Sequence, residues 1–173
     1  MASAEAMILD RVNESDQPVG TVKRTDVFAV GASFRVAHVF IFDNTGKLLL
    51  QQLAQSRLRH PGRWGSSLAA YVAAGEDYGQ AAHRRLSQEL GIDLDLRFIT
   101  RTRMLDENCS KFITLYFADS SGPFTTDPSH IADLAFMALA DVRNARDRDP
   151  GHFTPTFLHL WDLCTEHSLI SIT

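Results

Sequence analysis

The 173-residue sequence has few cysteines and no long apolar run, and each lack excludes a class of protein. Cys109 and Cys164 are too few for a disulfide framework or a zinc site of four thiolates. The sequence has no run of about 18 apolar residues, so it predicts no membrane-spanning helix. The N-terminus lacks the basic segment and apolar run of a secretory signal. We therefore expect a soluble protein of the cytoplasm.

An excess of basic residues is also missing from this sequence. It has 17 Lys and Arg against 21 Asp and Glu, which gives a net charge of −4. Proteins that coat nucleic acids neutralise many phosphates, so this charge and the lack of a basic block argue against that class. Hydrophobic residues make up 45% of the chain, which suits one folded domain over residues 1–173.

The apolar patterning predicts a β-rich domain with two helices. The first helix is expected over residues 77–90, with Asp77 as N-cap and Gly91 just past its end. The second begins at Thr154-Pro155 and runs to about Glu166. An Asp43-Asn44-Thr45-Gly46 turn predicts a hairpin. Strands are expected at residues 7–12, 19–23, 34–42, 47–52, 66–74, 94–103, 111–118 and 134–139, so the fold class is mixed α/β.

The first predicted helix carries polar side chains that could converge on one point. Residues 85, 88 and 89 are three and four positions apart, so Arg85, Gln88 and Glu89 share one face. A carboxylate there would suit a hard cation such as Mg²⁺, which prefers oxygen ligands. Glu76 precedes the helix and Arg84 lies inside it, so the two are expected to form an ion pair, with Glu76 as a metal ligand the alternative.

The segment at residues 70–92, AYVAAGEDYGQAAHRRLSQELGI, resembles the signature of the Nudix family, Gly-x5-Glu-x7-Arg-Glu-U-x-Glu-Glu-x-Gly-U, in which U is aliphatic. Three positions depart from it: Ala70, Arg85 and Gln88. The resemblance implies an α/β/α sandwich with a mixed β-sheet, in which residues 70–92 form a loop-helix-loop and residues 1–33 an N-terminal extension. The positions that match are Glu76, Arg84, Leu86, Glu89, Gly91 and Ile92.

The resemblance also implies an activity. Nudix hydrolases use Mg²⁺ or Mn²⁺ to cleave a diphosphate linked to another moiety, here a nucleotide-like small molecule. It implies that Glu89, Glu76 and Arg84 are catalytic, with Arg84 as an orienting residue. The metal would be held by Glu89, Glu76, Gln88 and Glu107. The positive charges of Arg57, Arg63 and Arg85 and the ring of Trp64 are separately predicted to contact the anionic substrate.

A second function follows from the departures within the signature. Gln88 offers a neutral oxygen, and Arg85 is a fixed positive charge that repels a cation. The alternative is therefore a catalytically impaired Nudix domain that binds a nucleotide or serves as an interaction module, with Arg85 contacting phosphate in place of a metal. Arg85 and Gln88, like the basic loop at residues 57–63, could equally be a solvated surface. A homodimer is the commonest oligomer and stays open here.

The flanking residues resemble the branch that contains isopentenyl-diphosphate isomerases. The phrases GKLLLQ, HPGRW and RRLSQELGI carry this likeness. Those isomerases need a catalytic cysteine and a metal-binding histidine where this chain has Ala69 and Tyr71. Alanine cannot transfer a proton as a thiol does, so isomerase activity ranks third.

Three further residues have both a structural and a chemical interpretation. Cys164 lies in the apolar pattern of the last helix and is expected in the core. Cys109 is expected to be a buried thiol, with a nucleophile as the alternative. His38 lies inside a strand and is expected to be packed rather than to bind metal.

Overall fold

The computed structural model describes residues 6–172, so Met1 to Glu5 and Thr173 lie outside it. The predicted N-terminal extension, from residue 6 onward, forms a hairpin and a short helix. The strands are β1 (Ile8–Val12), β2 (Pro18–Lys23), β3 (Phe34–Phe42), β4 (Leu48–Leu53), β5 (Trp64–Gly65), β6 (Leu68–Tyr71), β7 (Arg97–Asp106), β8 (Cys109–Asp119) and β9 (Ile131–Met137). The helices are α1 (Val27–Val30), α2 (Tyr78–Leu90), α3 (Leu139–Arg148) and α4 (Pro155–Glu166), with short 3-10 turns at Arg24–Asp26 and Pro150–His152.

A seven-stranded mixed sheet forms the centre of the fold. Its order is β5-β4-β3-β8-β7, with β6 beside β3 and β9 beside β4. Strands β3 and β8 are parallel, whereas the other neighbours are antiparallel. Strands β1 and β2 form a separate two-stranded sheet. The predicted mixed sheet is confirmed.

The predicted hairpin of β3 and β4 opens after its turn. The two strands pair at Phe42 and Leu48. Beyond that point β6 pairs with residues 36–39 of β3, while β5 and β9 pair with β4. Ser67 joins the diverging strands, because its hydroxyl donates to Leu49 O at 2.6 Å and accepts from Ile41 N at 2.8 Å. This split positions the site described below.

Helices cover both faces of the sheet. One apolar cluster joins α2 to the face of β3 that carries Ala37, Val39 and Ile41. Another cluster joins α4 to the opposite face, through Phe157, Trp161 and neighbouring side chains. The layers are therefore helix, sheet and helix, which confirms the predicted α/β/α sandwich. Cys164 is buried in the second cluster, as expected.

Helix α2 has the predicted ends. Asp77 accepts a hydrogen bond from Gln80 N, and the Gln80 side chain returns one to Asp77 N, which forms a capping box. Gly91 ends the helix with φ 64°, a conformation that costs glycine little. Tyr78, Ala82, Leu86 and Leu90 recur every four residues and are buried, but Glu89 is buried as well, at 3% exposure. The apolar periodicity of the helix does not predict the burial of Glu89.

Two parts of the sequence prediction were wrong. Helix α3 was not expected, because it is rich in charged residues and buries only Val142, so its apolar periodicity is weak. The strands predicted at residues 94–103 and 111–118 are longer than expected, since β7 runs to Asp106 and β8 begins at Cys109, and only a turn separates them. Glu107 takes a positive φ of 55° in that turn.

Within residues 6–172, no helix is long and apolar enough to cross a membrane.

Candidate functional site

Glu76 and Arg84 form the predicted ion pair, which fastens the loop before α2 to the helix. Arg84 Nε lies 2.6 Å from Glu76 Oε1, and Arg84 Nη2 lies 3.0 Å from Oε2. Ala73 N also donates to Oε2, and Arg84 Nη2 donates to Tyr71 O. Burial alone would raise the pKa of Glu76, but the hydrogen bonds from Arg84 and Ala73 bring it below its usual value. Both carboxylate oxygens therefore already have partners.

Glu89 and Arg85 form a second ion pair within the signature helix, between Arg85 Nη2 and Glu89 Oε1. The Gln51 side-chain amide donates to Glu89 Oε2 at 3.4 Å and to Ser67 O at 2.9 Å, so Glu89 lies at the split between β4 and β6. Burial lowers the pKa of Arg85, Glu89 opposes this shift, and the nearby charge of Arg57 adds to it. Arginine nevertheless stays charged in proteins.

The residues do not fit the metal site that the family resemblance implies. Among residues 6–172, no three His, Cys, Asp or Glu side chains lie together as a metal-binding group. Glu76 is held by Arg84 and Glu89 by Arg85, while Glu107 is exposed and accepts from Arg59 at 2.8 Å. Gln88 is exposed on α2. A divalent cation at this helix would have to displace guanidinium groups that already neutralise the carboxylates.

Three guanidinium groups, those of Arg24, Arg57 and Arg85, form what we call the arginine cluster. Arg24 and Arg57 are close enough to Arg85 for their charges to lower its pKa, after the larger effect of burial. Arg24 lies over the ring of Tyr71, 4.4 Å from its centroid. Arg57 Nη1 lies 3.1 Å from His130 Nδ1, which must accept because guanidinium only donates. Clustered arginines favour an anion with several oxygens, such as a phosphate.

Arg63 and Trp64, the other predicted substrate-binding residues, follow Arg57 in the chain by six and seven residues. The charge of Arg63 contributes to the lowered pKa of His60, after burial and Arg59. Trp64 is partly buried and packs against the cluster beneath α4. No described hydrogen bond or ion pair of residues 6–172 joins either side chain to the arginine cluster, so their roles stay predictions.

The face of β6 carries the positions at which isomerases need a cysteine and a histidine. Ala69 is exposed there and pairs in register with His38 of β3, while Tyr71 pairs with Val36. His38 is 5% exposed, and its Nδ1 lies 2.8 Å from Ser66 Oγ. Burial, with a smaller effect of the Lys111 charge, lowers the pKa of His38 to about 3. The expectation of a packed histidine is confirmed.

The face covered by α4 carries a charged group that no pattern in the sequence predicts. Lys111 Nζ lies 2.5 Å from Asp106 Oδ2 and 2.8 Å from Thr156 Oγ1. Arg59 Nη2 lies 2.8 Å from Asp106 Oδ1, and its guanidinium stacks 3.8 Å from the ring centroid of Phe28. No spacing along the sequence brings these residues together. The parallel pairing of β3 with β8 and the path of the basic loop do so.

Cys109 has the environment of an unreactive thiol. It is buried, and its Sγ donates to Val27 O at 3.4 Å. Burial raises the pKa of Cys109, and the charge of Asp106 raises it further. A raised pKa leaves little thiolate, so the expectation of a buried thiol is confirmed.

Acidification is expected to lower the free energy of unfolding through His38. The unfolded chain protonates this residue near pH 6.5, whereas the folded imidazole resists protonation until about pH 3. Stability from this difference is complete above pH 6.5 and is lost as the pH falls, by at most about 1.4 kcal/mol per pH unit. His38→Gln removes the titration, so urea unfolding between about pH 7 and 5 should show a shallower pH slope. An unchanged slope would contradict this assignment.

Comparison of the sequence with known proteins identifies its family. The model of the NUDIX domain matches residues 33–157. The chain is similar to isopentenyl-diphosphate Delta-isomerase of Serratia proteamaculans, with 36% identity over 159 residues, which covers 89% of this chain and 88% of the relative. It is 28% identical to an uncharacterized Nudix hydrolase of Pseudomonas aeruginosa, over 83% of this chain and 88% of that protein.

A solved structure shows the same fold at lower identity. The NUDIX domain of Shewanella oneidensis NrtR, complexed with ADP ribose, superposes with a TM-score of 0.62 at 17% identity, and the match covers 84% of this chain and 99% of that one. The family model spans most of this chain, and the loop, helix and ion pairs described above lie within it. The chain therefore belongs to the Nudix family.

Proposed function

We propose that this Nudix domain, formed by residues 1–173, binds the diphosphate group of a small molecule directly through the arginine cluster. The observation that carries the proposal is the ion pair of Arg85 with Glu89, with Arg57 and Arg24 beside it. Arg85 stands where the family signature has a glutamate. At that position the chain therefore carries a permanent cation in place of a carboxylate.

The electrostatics of the cluster favour an anionic ligand. Arg24 and Arg57 each lie near enough to Arg85 for their charges to lower its pKa, and within the cluster Glu89 pairs with Arg85. Like charges held together repel, and a diphosphate would relieve this repulsion while accepting charge-assisted hydrogen bonds. The net charge of −4 belongs to the whole chain and does not describe this surface.

A nucleotide-like diphosphate suits this proposal. The NrtR NUDIX domain is described in complex with ADP ribose, in which a diphosphate joins two ribose-bearing groups. That likeness, at low identity, supports the chemical class of ligand and does not name the ligand of this chain. ADP ribose and inorganic diphosphate are therefore suitable probes.

Hydrolysis of the bound diphosphate with Mg²⁺ or Mn²⁺ is the second candidate function. Glu76, Arg84 and Glu89 keep their places in the signature, and the Pseudomonas relative carries the name of a Nudix hydrolase. Glu89, Glu76, Gln88 and Glu107 stay the predicted metal ligands under this candidate. Cleavage of diphosphate-linked probes into two monophosphates, measured with Mg²⁺ or Mn²⁺ and lost in Glu89→Gln, would support it. Isomerase activity is not proposed, because Ala69 cannot transfer a proton.

Arg57→Ala tests the proposed function with little risk to the fold, because Arg57 lies on a loop and pairs with His130 rather than with a buried carboxylate. We expect its affinity for inorganic diphosphate, measured by calorimetry in EDTA, to fall by roughly 10- to 100-fold, as loss of a charge-assisted hydrogen bond predicts. Arg148→Ala, an exposed arginine at the end of α3, is the matched control and should bind like the wild type. Equal affinities in both variants would refute the proposal.

A further inference from the structure

His38 has one ring nitrogen that no described residue uses. Its Nδ1 lies 2.8 Å from Ser66 Oγ, which is the hydrogen bond of this side chain in the described chain. Within residues 6–172, the fully enclosed side-chain polar atom that lacks a partner is Arg146 Nε. His38 Nε2 therefore has no described partner, and part of the residue's 5% exposure lies at this nitrogen. This exposure marks a narrow space that solvent reaches.

That space lies over β6. His38 pairs in register with Ala69, and side chains of directly opposed residues point to the same face of a sheet. Ala69 is exposed although it lies within the sheet, and its methyl group leaves room above the His38 ring. The neighbouring inward positions, Val36 and Phe40, are closed by the core beneath α4.

The same space adjoins the arginine cluster. Tyr71 lies two residues beyond Ala69 on the same face, a separation of about 7 Å along a strand. Arg24 covers the Tyr71 ring at 4.4 Å and is itself close to Arg85. A ligand whose diphosphate contacts the arginine cluster, and whose attached group extends along β6, would therefore reach His38.

The chemistry of His38 limits what this group can be. Burial keeps the imidazole neutral, so it offers a single hydrogen bond and no charge. Ser66 Oγ can donate to Nδ1 or accept from it, so Nε2 acts as a donor in one tautomer and an acceptor in the other. A hydroxyl group pairs with either tautomer, whereas a hydrocarbon pairs with neither and leaves Nε2 desolvated.

We propose that His38 Nε2 hydrogen-bonds a hydroxyl group of the moiety attached to the diphosphate. The site would then select hydroxyl-bearing diphosphates, such as those linked to a sugar, over diphosphates linked to a hydrocarbon chain. His38 and Ala69 determine this specificity, and the arginine cluster determines the affinity for the diphosphate itself. This inference rests on the proposed function.

The test compares three probes by calorimetry: inorganic diphosphate, ADP ribose and isopentenyl diphosphate. We expect the wild type to bind ADP ribose about tenfold or more tightly than isopentenyl diphosphate. His38→Leu should weaken ADP ribose binding by about tenfold and leave inorganic diphosphate unchanged. If ADP ribose is unaffected, or if both probes weaken equally, the inference is wrong.

A second variant avoids disturbing the buried imidazole. Ala69→Leu fills the space above His38 from an exposed position, so we expect it to weaken ADP ribose while inorganic diphosphate binds as before. Unchanged ADP ribose binding in this variant would overturn the inference. Failure of the wild type to bind inorganic diphosphate would instead overturn the proposed function, so the two failures are distinguishable.

Discussion

Asp106→Ala is expected to lower the free energy of unfolding by about 3–5 kcal/mol, because it leaves a buried lysine without its carboxylate. The Lys111 side chain is 11% exposed and that of Asp106 is 9% exposed. Burial lowers the pKa of Lys111, while the hydrogen bond and charge of Asp106 oppose that shift. Without Asp106, the ammonium group keeps Thr156 but has no neutralising partner. Urea unfolding near neutral pH measures the loss.

Glu107→Ala is the matched control for this prediction. Glu107 is the next residue and also pairs with Arg59, but its side chain is 59% exposed. Exposed ion pairs contribute about 0–1 kcal/mol, so this variant should be close to the wild type. The double variant Asp106→Leu with Lys111→Met should recover most of the stability, since apolar groups can replace a buried pair. A similar loss in Asp106→Ala and Glu107→Ala would show that burial does not govern the effect.

Arg85→Glu is expected to weaken the binding of inorganic diphosphate by a factor of at least about 100, measured in EDTA. The change removes a charge-assisted donor and places a carboxylate where the diphosphate would bind. It also sets two carboxylates beside each other, because Glu89 is buried within reach of position 85. The variant is therefore assayed at a temperature where circular dichroism shows it folded.

Arg148→Glu controls for the change in net charge, and it should keep the affinity of the wild type. Adding Gln88→Glu to Arg85→Glu restores the carboxylates of the family signature on one helix face. We expect diphosphate binding by that double variant to require Mg²⁺, which prefers oxygen ligands. Metal-free binding by Arg85→Glu at the wild-type affinity would show that Arg85 does not contact the ligand.

Local interactions of this fold were predictable from the sequence. Asp77 and Gly91 fix the ends of α2 through contacts within a few residues, as expected, and the structure adds Gln80 as the partner of Asp77 in a capping box. The Glu76–Arg84 pair was predicted for the same reason, since eight residues along a loop and a helix place the two side chains together. Helix α3 was missed because its single buried residue, Val142, gives no apolar period.

The rest of the site depends on contacts between distant parts of the chain. Glu89 lies on the polar face of its helix, and it is buried because Gln51 and Ser67 close the split between two strands above it. Arg24, which follows the N-terminal hairpin, lies over the ring of Tyr71 and near Arg85. The pairing of His38 with Ala69 follows from the insertion of β6 beside β3. No periodicity in the sequence encodes these neighbours.

The most direct test of diphosphate binding by the arginine cluster is a calorimetric titration of inorganic diphosphate into the wild-type chain, with excess EDTA and again with Mg²⁺. Direct recognition by guanidinium groups predicts binding in EDTA that added Mg²⁺ does not strengthen, because Mg²⁺ binds diphosphate itself and competes with the guanidinium groups. Binding that appears only when Mg²⁺ is present would contradict the account.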